Sequence, residues 1–127
     1  MRILIVSGSR ADLGLLHCPE KVLREDGLDV DFKILFAESF HMAGAMMENV
    51  LSTTKPDIML ILGDRWEIMA AATVAHLNRI PIAHIGGGDV TEGSYDDAMR
   101  DCISRLSTVH FATSTFACAR LVGMGCS

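Results

Sequence analysis

The sequence predicts an α/β domain, an open parallel sheet of about five strands flanked by helices. Three observations carry that prediction. Short apolar runs alternate with segments whose apolar residues recur at helical spacing. The run Ile58-Met59-Leu60-Ile61-Leu62 shows no polar alternation, as a strand buried on both faces requires. Glycine closes the runs at Gly8, at Gly63-Asp64 and at Gly86-Gly87-Gly88.

Taken in order, Met1-Ser7 reads as the first strand. Asp12 to Glu25 carries Leu13, Leu15, Leu16, Val22 and Leu23 at helical recurrence and ends at Asp26-Gly27. Pro19 removes a backbone donor inside that helix and predicts a kink or an irregular first half. Val30 to Ala37 is the second strand, and Ala43 to Leu51 is a helix whose Met46, Met47, Val50 and Leu51 fill the core. Lys55-Pro56-Asp57 stops that helix ahead of the strand Ile58 to Leu62. An Ala-rich helix from Trp66 to Leu77 and a strand from Ile80 to Ile85 repeat the unit. A helix from Tyr95 to Leu106, a strand from Thr108 to Ala112 and a helix from Ser114 to Gly123 complete it. Such alternation gives a parallel sheet joined by right-handed crossovers. There is no internal repeat or low-complexity tract, and Gly125-Cys126-Ser127 reads as a domain boundary.

A chain of 127 residues fits one domain, and a composition 50% hydrophobic and 21% charged is that of a folded core. A net charge of -5 without any Lys/Arg cluster excludes a nucleic-acid binder. The opening apolar run is too short for a signal peptide. No uncharged stretch reaches the ~20 residues that span a bilayer, so a soluble, cytoplasmic protein with no membrane partner is expected. Cys18, Cys102, Cys118 and Cys126 form no Cys-x-x-Cys pair, which argues against a zinc or dithiol site and for reduced, mostly buried thiols.

In an open parallel sheet, ligands bind beyond the carboxyl ends of the strands. Gly8-Ser9-Arg10-Ala11-Asp12 is a glycine turn entering a helix, suited to an anion or a sugar oxygen with Arg10 as donor, or simply a capped helix start. Gly63-Asp64-Arg65 sets a carboxylate beside a guanidinium at the end of the most buried strand. Asp64 is there a general acid or base, or else the cap of the helix that begins near Arg65. The stretch from His84 to Asp97 holds five ionisable acids or imidazoles, His84, Asp89, Glu92, Asp96 and Asp97, around flexible backbone. His84 is a proton carrier or a hydrogen-bonded structural histidine. Asp96 and Asp97 face a ligand or complement a helix dipole. His76 and His110 are expected to be structural.

The ordered set Gly8-Ser9-Arg10-Ala11-Asp12-Leu13-Gly14-Leu15-Leu16, Gly63-Asp64-Arg65-Trp66-Glu67 and Pro81 to Gly93 resembles the hydrolysing UDP-N-acetylglucosamine 2-epimerases of sialic-acid and related sugar biosynthesis. Asp96-Asp97-Ala98-Met99-Arg100 and Leu106 to Phe111 extend the likeness nearly to the end of the chain. The resemblance implies two Rossmann-like domains in the glycosyltransferase B arrangement, of which this chain is the first. It implies loss of UDP from UDP-N-acetylglucosamine or a related UDP-amino sugar, a 2-acetamidoglucal intermediate and release of N-acetylmannosamine, without metal or nicotinamide cofactor. By position it gives Asp64 and Asp96 proton-transfer roles, Asp89 a further acidic role, and places Arg10 in the active site; Arg65 and His84 are the accompanying substrate-binding candidates.

Three departures set this chain apart from that family. Gly86 stands where relatives carry Glu or His. A strand and a helix are missing between about His41 and Ala43. The second domain, which normally supplies most UDP contacts, is absent. The chain alone is therefore expected to be inactive, with a homodimer or a complementary C-terminal domain as its expected partner. The competing readings are a non-catalytic, degenerate copy that binds a partner, and one half of a two-subunit glycosyltransferase.

Overall fold

Five apolar runs become five parallel strands because each is joined to the next by a helix that returns the chain to the same end of the sheet. The computed structural model describes residues 1–90 and 96–126, with Asp96 described by its backbone alone. The strands are β1 (Arg2–Ser7), β2 (Asp29–Ile34), β3 (Ile58–Leu62), β4 (Ile82–Ile85) and β5 (Val109–Phe111). The helices are α1 (Leu13–Glu25), α2 (Phe40–Thr54), α3 (Trp66–Leu77), α4 (Asp96–Leu106) and α5 (Thr115–Gly123). The sheet runs in the order β2-β1-β3-β4-β5, all pairs parallel, with Ile5 opposite Phe32 and Leu60, and Leu60 opposite Ala83.

The two-residue period of the strands divides the core in two. On one face Leu4, Val6, Met59, Ile61 and Ile82 pack with Met47 and Leu51 of α2, Ile68, Ala71 and Ala75 of α3, and Ile103 of α4. Because α2 and α4 flank it, α3 is buried on several sides, and its alanines allow that close approach. On the other face Ile3, Ile5, Val30, Leu60 and Ala83 meet Leu16 of α1. The remainder of that face forms an open apolar groove of about 700 Å³, lined among others by Leu60, Ala83, Ile85, Val109 and Phe111.

Several boundaries differ from those expected. The strand expected from Ile80 begins at Ile82, because the Ile80 amide closes the end of α3 on Ala75 and Pro81 has no amide to give. The helix expected from Ala43 begins at Phe40, because the Ser39 hydroxyl accepts from the Met42 amide and caps it. Pro19 lies within an uninterrupted α1, whose entrance is instead preceded by a separate 3-10 turn at Arg10–Asp12. All four cysteines are free, but Cys18, Cys102 and Cys118 are exposed and Cys126 is buried, which corrects the expectation of mostly buried thiols. Each exposed cysteine falls one or two positions from the stripe its helix buries, at Leu16, Ile103 and Ala117, and so points elsewhere. Among the described residues no helix is long and apolar enough to cross a membrane.

Candidate active site

All five strands point the same way, so the segments that follow them lie along one edge of the sheet. After β3 the chain turns at Gly63, whose φ of +88° suits glycine, and delivers Asp64 and Arg65 ahead of α3. Arg65, not Asp64, takes the N-cap position, so the capping alternative for Asp64 lapses. The Asp64 carboxylate instead pairs with the guanidinium of Arg100, which α4 projects beneath the strand ends. That guanidinium also donates to the Asp97 carboxylate at 2.6 Å and to the backbone carbonyl of Asp89 at 2.6 Å. Arg100 is only 7% exposed, so one buried cation ties the turn after β3 and the turn after β4 to α4.

His84 lies fully buried beneath that cluster. One ring nitrogen, Nε2, is 2.8 Å from the Gly63 carbonyl, and the other, Nδ1, is 3.1 Å from the Ser104 hydroxyl. A carbonyl only accepts, so Nε2 carries the proton and Nδ1 accepts from Ser104. Burial foremost pushes the imidazole down to about 4, against the opposing pull of the Gly63 carbonyl. Both ring nitrogens of His84 are thus engaged within the fold, as the structural alternative expects. The histidine fixes the turn that presents Asp64.

The glycine turn after β4 is shaped by close packing. A β-carbon at Gly87 would meet the Ser104 hydroxyl at 2.5 Å, and one at Gly88 would run into the Ala117 carbonyl of α5. Arg120 of α5 donates to the Gly88 carbonyl at 3.2 Å. Asp89 follows, accepting from the Thr113 hydroxyl at 2.7 Å. Gly86 has a φ of +90°, a conformation that side-chain-bearing residues rarely adopt, and its amide donates to Phe111 of β5.

On the β1 side, Arg65 lies against Gly8 and donates to one oxygen of Glu67 at 2.9 and 3.1 Å, while remaining about half exposed. Glu67 is buried, and its second oxygen has no partner among the described residues. Arg10 is exposed and stacks its guanidinium 5.6 Å from the centre of the Phe36 ring in the segment after β2.

The expected residues thus fall in a row that follows the strand order: Arg10, then Arg65, then Asp64, then Asp89. Asp64 and Asp89 are joined through Arg100, while Arg10 and Arg65 stand apart on the β1 side. Thr91 to Tyr95 and the side chain of Asp96 lie outside the described residues. Sequence reasoning gave no role to Arg100, Glu67 or Thr113. For Arg100, the spacing of three from Asp97 on one helix face was a readable signal. Among the described residues no group of three or more His, Cys, Asp or Glu side chains is placed to hold a metal.

Comparison with known proteins bears on the family and the fold. The family profile described as UDP-N-acetylglucosamine 2-epimerase matches residues 32–127. The chain is 37% identical over 95 residues to the hydrolysing GDP/UDP-N,N'-diacetylbacillosamine 2-epimerase of Campylobacter jejuni, covering 75% of this chain and 25% of that protein. It is 30% identical over 164 aligned positions to the hydrolysing UDP-N,N'-diacetylbacillosamine 2-epimerase of Legionella pneumophila, covering 98% of this chain and 43% of that one. All of this chain superposes on the UDP-GlcNAc 2-epimerase of Methanocaldococcus jannaschii with a TM-score of 0.91 at 19% identity, covering 43% of that chain. It superposes on the Neisseria meningitidis enzyme bound to UDP-GlcNAc with a TM-score of 0.90 at 21% identity, covering 44% of that chain. These enzymes are of the glycosyltransferase B type, and the chain spans less than half the length of the relatives it matches. The sheet, the loops at its carboxyl edge and the match over residues 32–127 together make this chain a member of the UDP-N-acetylglucosamine 2-epimerase family.

Proposed function

We propose that the chain is the N-terminal, sugar-handling half of a hydrolysing UDP-N-acetylglucosamine 2-epimerase, acting in the cytoplasm on UDP-N-acetylglucosamine or a related UDP-amino sugar. The observation that carries this reading is the Asp64–Arg100–Asp89 cluster at the carboxyl ends of β3 and β4, flanked by the exposed guanidinium groups of Arg10 and Arg65. In the proposed reaction a carboxylate removes the proton at C2, the bond from C1 to the phosphate oxygen breaks and UDP departs. Water then adds across the resulting double bond, its hydroxyl at C1 and its proton at C2 from the opposite face, giving N-acetylmannosamine. Asp64, Asp96 and Asp89 are the proton-transfer candidates, and Arg10 and Arg65 offset the charge of the departing diphosphate. His84 acts from below, holding the Gly63 turn. The route uses no metal and no nicotinamide.

The domain reading belongs to the same proposal: residues 1–127 correspond to the N-terminal domain, internally shortened. Aligning 98% of a 127-residue chain with the Legionella relative takes 164 positions, which supports an internal stretch present there and missing here. A site at one domain's edge has only one wall, so this chain alone is inactive and works with a complementary domain or a second copy. The reading as a non-catalytic binding module draws support from one observation, the uncovered apolar groove on the α1 face.

The test incubates the purified chain with UDP-N-acetylglucosamine, alone and with a complementary second domain, and follows UDP and N-acetylmannosamine. Turnover only in the mixture is the expected result. Robust turnover by the chain alone overturns its incompleteness, and no turnover in either tube favours the binding module.

A further inference from the structure

Asp89 is held once at its side chain and once at its backbone, and one carboxylate oxygen has no partner among the described residues. Thr113, on the segment after β5, donates its hydroxyl to Oδ1 at 2.7 Å, and Arg100 donates to the Asp89 backbone carbonyl at 2.6 Å. The other carboxylate oxygen, Oδ2, has no partner among the described residues. It faces Gly86, where a β-carbon would stand 3.9 Å away. Among the described residues beyond its two chain neighbours, only Asp89 comes within 4 Å of that β-carbon position, and the Gly86 amide is held at 3.0 Å by the Phe111 carbonyl. Among the described residues the ends of β4 and β5 therefore make a corner with a fixed floor and one unsatisfied acceptor.

We infer that Thr113 is a positioning residue, which turns Oδ2 of Asp89 outward to receive a hydroxyl or amide N–H of the amino sugar in the corner bounded by Gly86. This rests on the proposed function for the identity of the ligand. A lone carboxylate at half exposure has several rotamers of similar energy, and a ligand that needs one of them loses affinity in proportion to the others. The Thr113 hydroxyl selects one rotamer by satisfying Oδ1. Arg100, bound to the backbone, fixes the base from which the side chain swings. The glycine at position 86 puts no side chain of its own in front of Oδ2.

The experiment titrates UDP-N-acetylglucosamine into the full 127-residue chain mixed with a complementary second domain, and into the same mixture made with Thr113→Val, Thr113→Ser, Asp89→Asn and the Thr113→Val/Asp89→Asn double variant. Thr113→Val is expected to weaken binding about tenfold at an unchanged melting temperature, with Thr113→Ser restoring it. In the Asp89→Asn background the Thr113 change should have no further effect. Equal affinity of Thr113→Val and wild type, or additive losses in the double variant, overturns the inference. A second measurement needs no sugar: the side-chain carboxyl 13C resonance of Asp89 is compared between the free proteins. It should move in Thr113→Val and return in Thr113→Ser; an unmoved resonance overturns the positioning role. If the resonance moves but the wild-type mixture binds no sugar, the ligand and the proposed function fail, while the link from Thr113 to Asp89 stands.

Discussion

Acid acts on this protein first through His84. Its imidazole is neutral in the folded chain, pushed down to about 4, whereas in the unfolded chain it takes up a proton near its ordinary 6.5. Above that value the histidine adds no pH dependence. As the pH falls from 6.5 toward 4 the unfolded state binds the proton and the folded state does not, so stability drops, by about 3 kcal/mol at the limit. His110, which pairs with His84 across β4 and β5, is also lowered by burial and adds to the loss in the same direction. Urea midpoints at pH 7.5 and pH 4.5 check this. His84→Gln, which removes its titration, should reduce the difference; an undiminished slope would assign it to other groups. The glycine turn is the second sensitive point. Gly88→Ala places a methyl group against the Ala117 carbonyl at a φ of +83°, and should cost about 3 kcal/mol or more by chemical denaturation. Gly86→Glu meets no backbone wall, but it is strained at φ +90° and crowds Oδ2 of Asp89. It should weaken sugar binding rather than restore a missing contact, and a gain in affinity by calorimetry would refute that.

Among the elements, the strands were legible from the sequence and the decisive helix contact was not. The run from Ile58 to Leu62 announces a strand buried on both faces whatever its neighbours are, because uninterrupted apolar sequence has no other good use at that length. The start of α2 was missed because Ser39 precedes Phe40, His41 and Met42, which lack the apolar recurrence that marked Ala43 onward; the cap at Ser39 was the available signal. Ser39→Ala should cost about 1 kcal/mol, read as a lower urea midpoint. Of the contacts of Arg100 only that to Asp97 was legible, because its partners Asp64 and Asp89 are 36 and 11 residues away and only the parallel crossovers bring them together. Arg100→Met keeps the length of the side chain and removes the cation. Asp64 and Asp97 retain about a quarter of their side-chain exposure and can rehydrate, so the expected loss is about 1–2 kcal/mol, below that of a fully buried pair. Hydrogen exchange should show it as faster exchange in α4, and unchanged α4 protection would mean that the helix is held without Arg100, through contacts such as those of Ile103, Ser104, Asp101 and Arg105.

For the whole molecule, what the sequence could not convey is which surfaces remain open. The groove beside α1 follows from topology: a single helix serves that face while three serve the other. The outer edge of β2 is open as well, since β2 pairs only with β1 among the described residues. Asp29, Asp31 and Lys33 alternate there with Val30, Phe32 and Ile34, and charges along an edge discourage strand-to-strand association. Association through β2 is therefore disfavoured, and Asp31→Val/Lys33→Val should shift the chain toward larger species in sedimentation, whereas an unchanged distribution would show that the charges are not what guards it.

The buried guanidinium of Arg100 also bears on how the site fails when warmed. The sheet keeps its shape through β1 and β3, but Asp64 and Asp89 keep their relation only while α4 stays docked. A helix of 11 residues opens at a smaller free energy than the central strands do. Ligand recognition should consequently fade over a range of temperatures in which circular dichroism still reports a folded chain, so that the working ceiling of the site lies below the melting point of the protein.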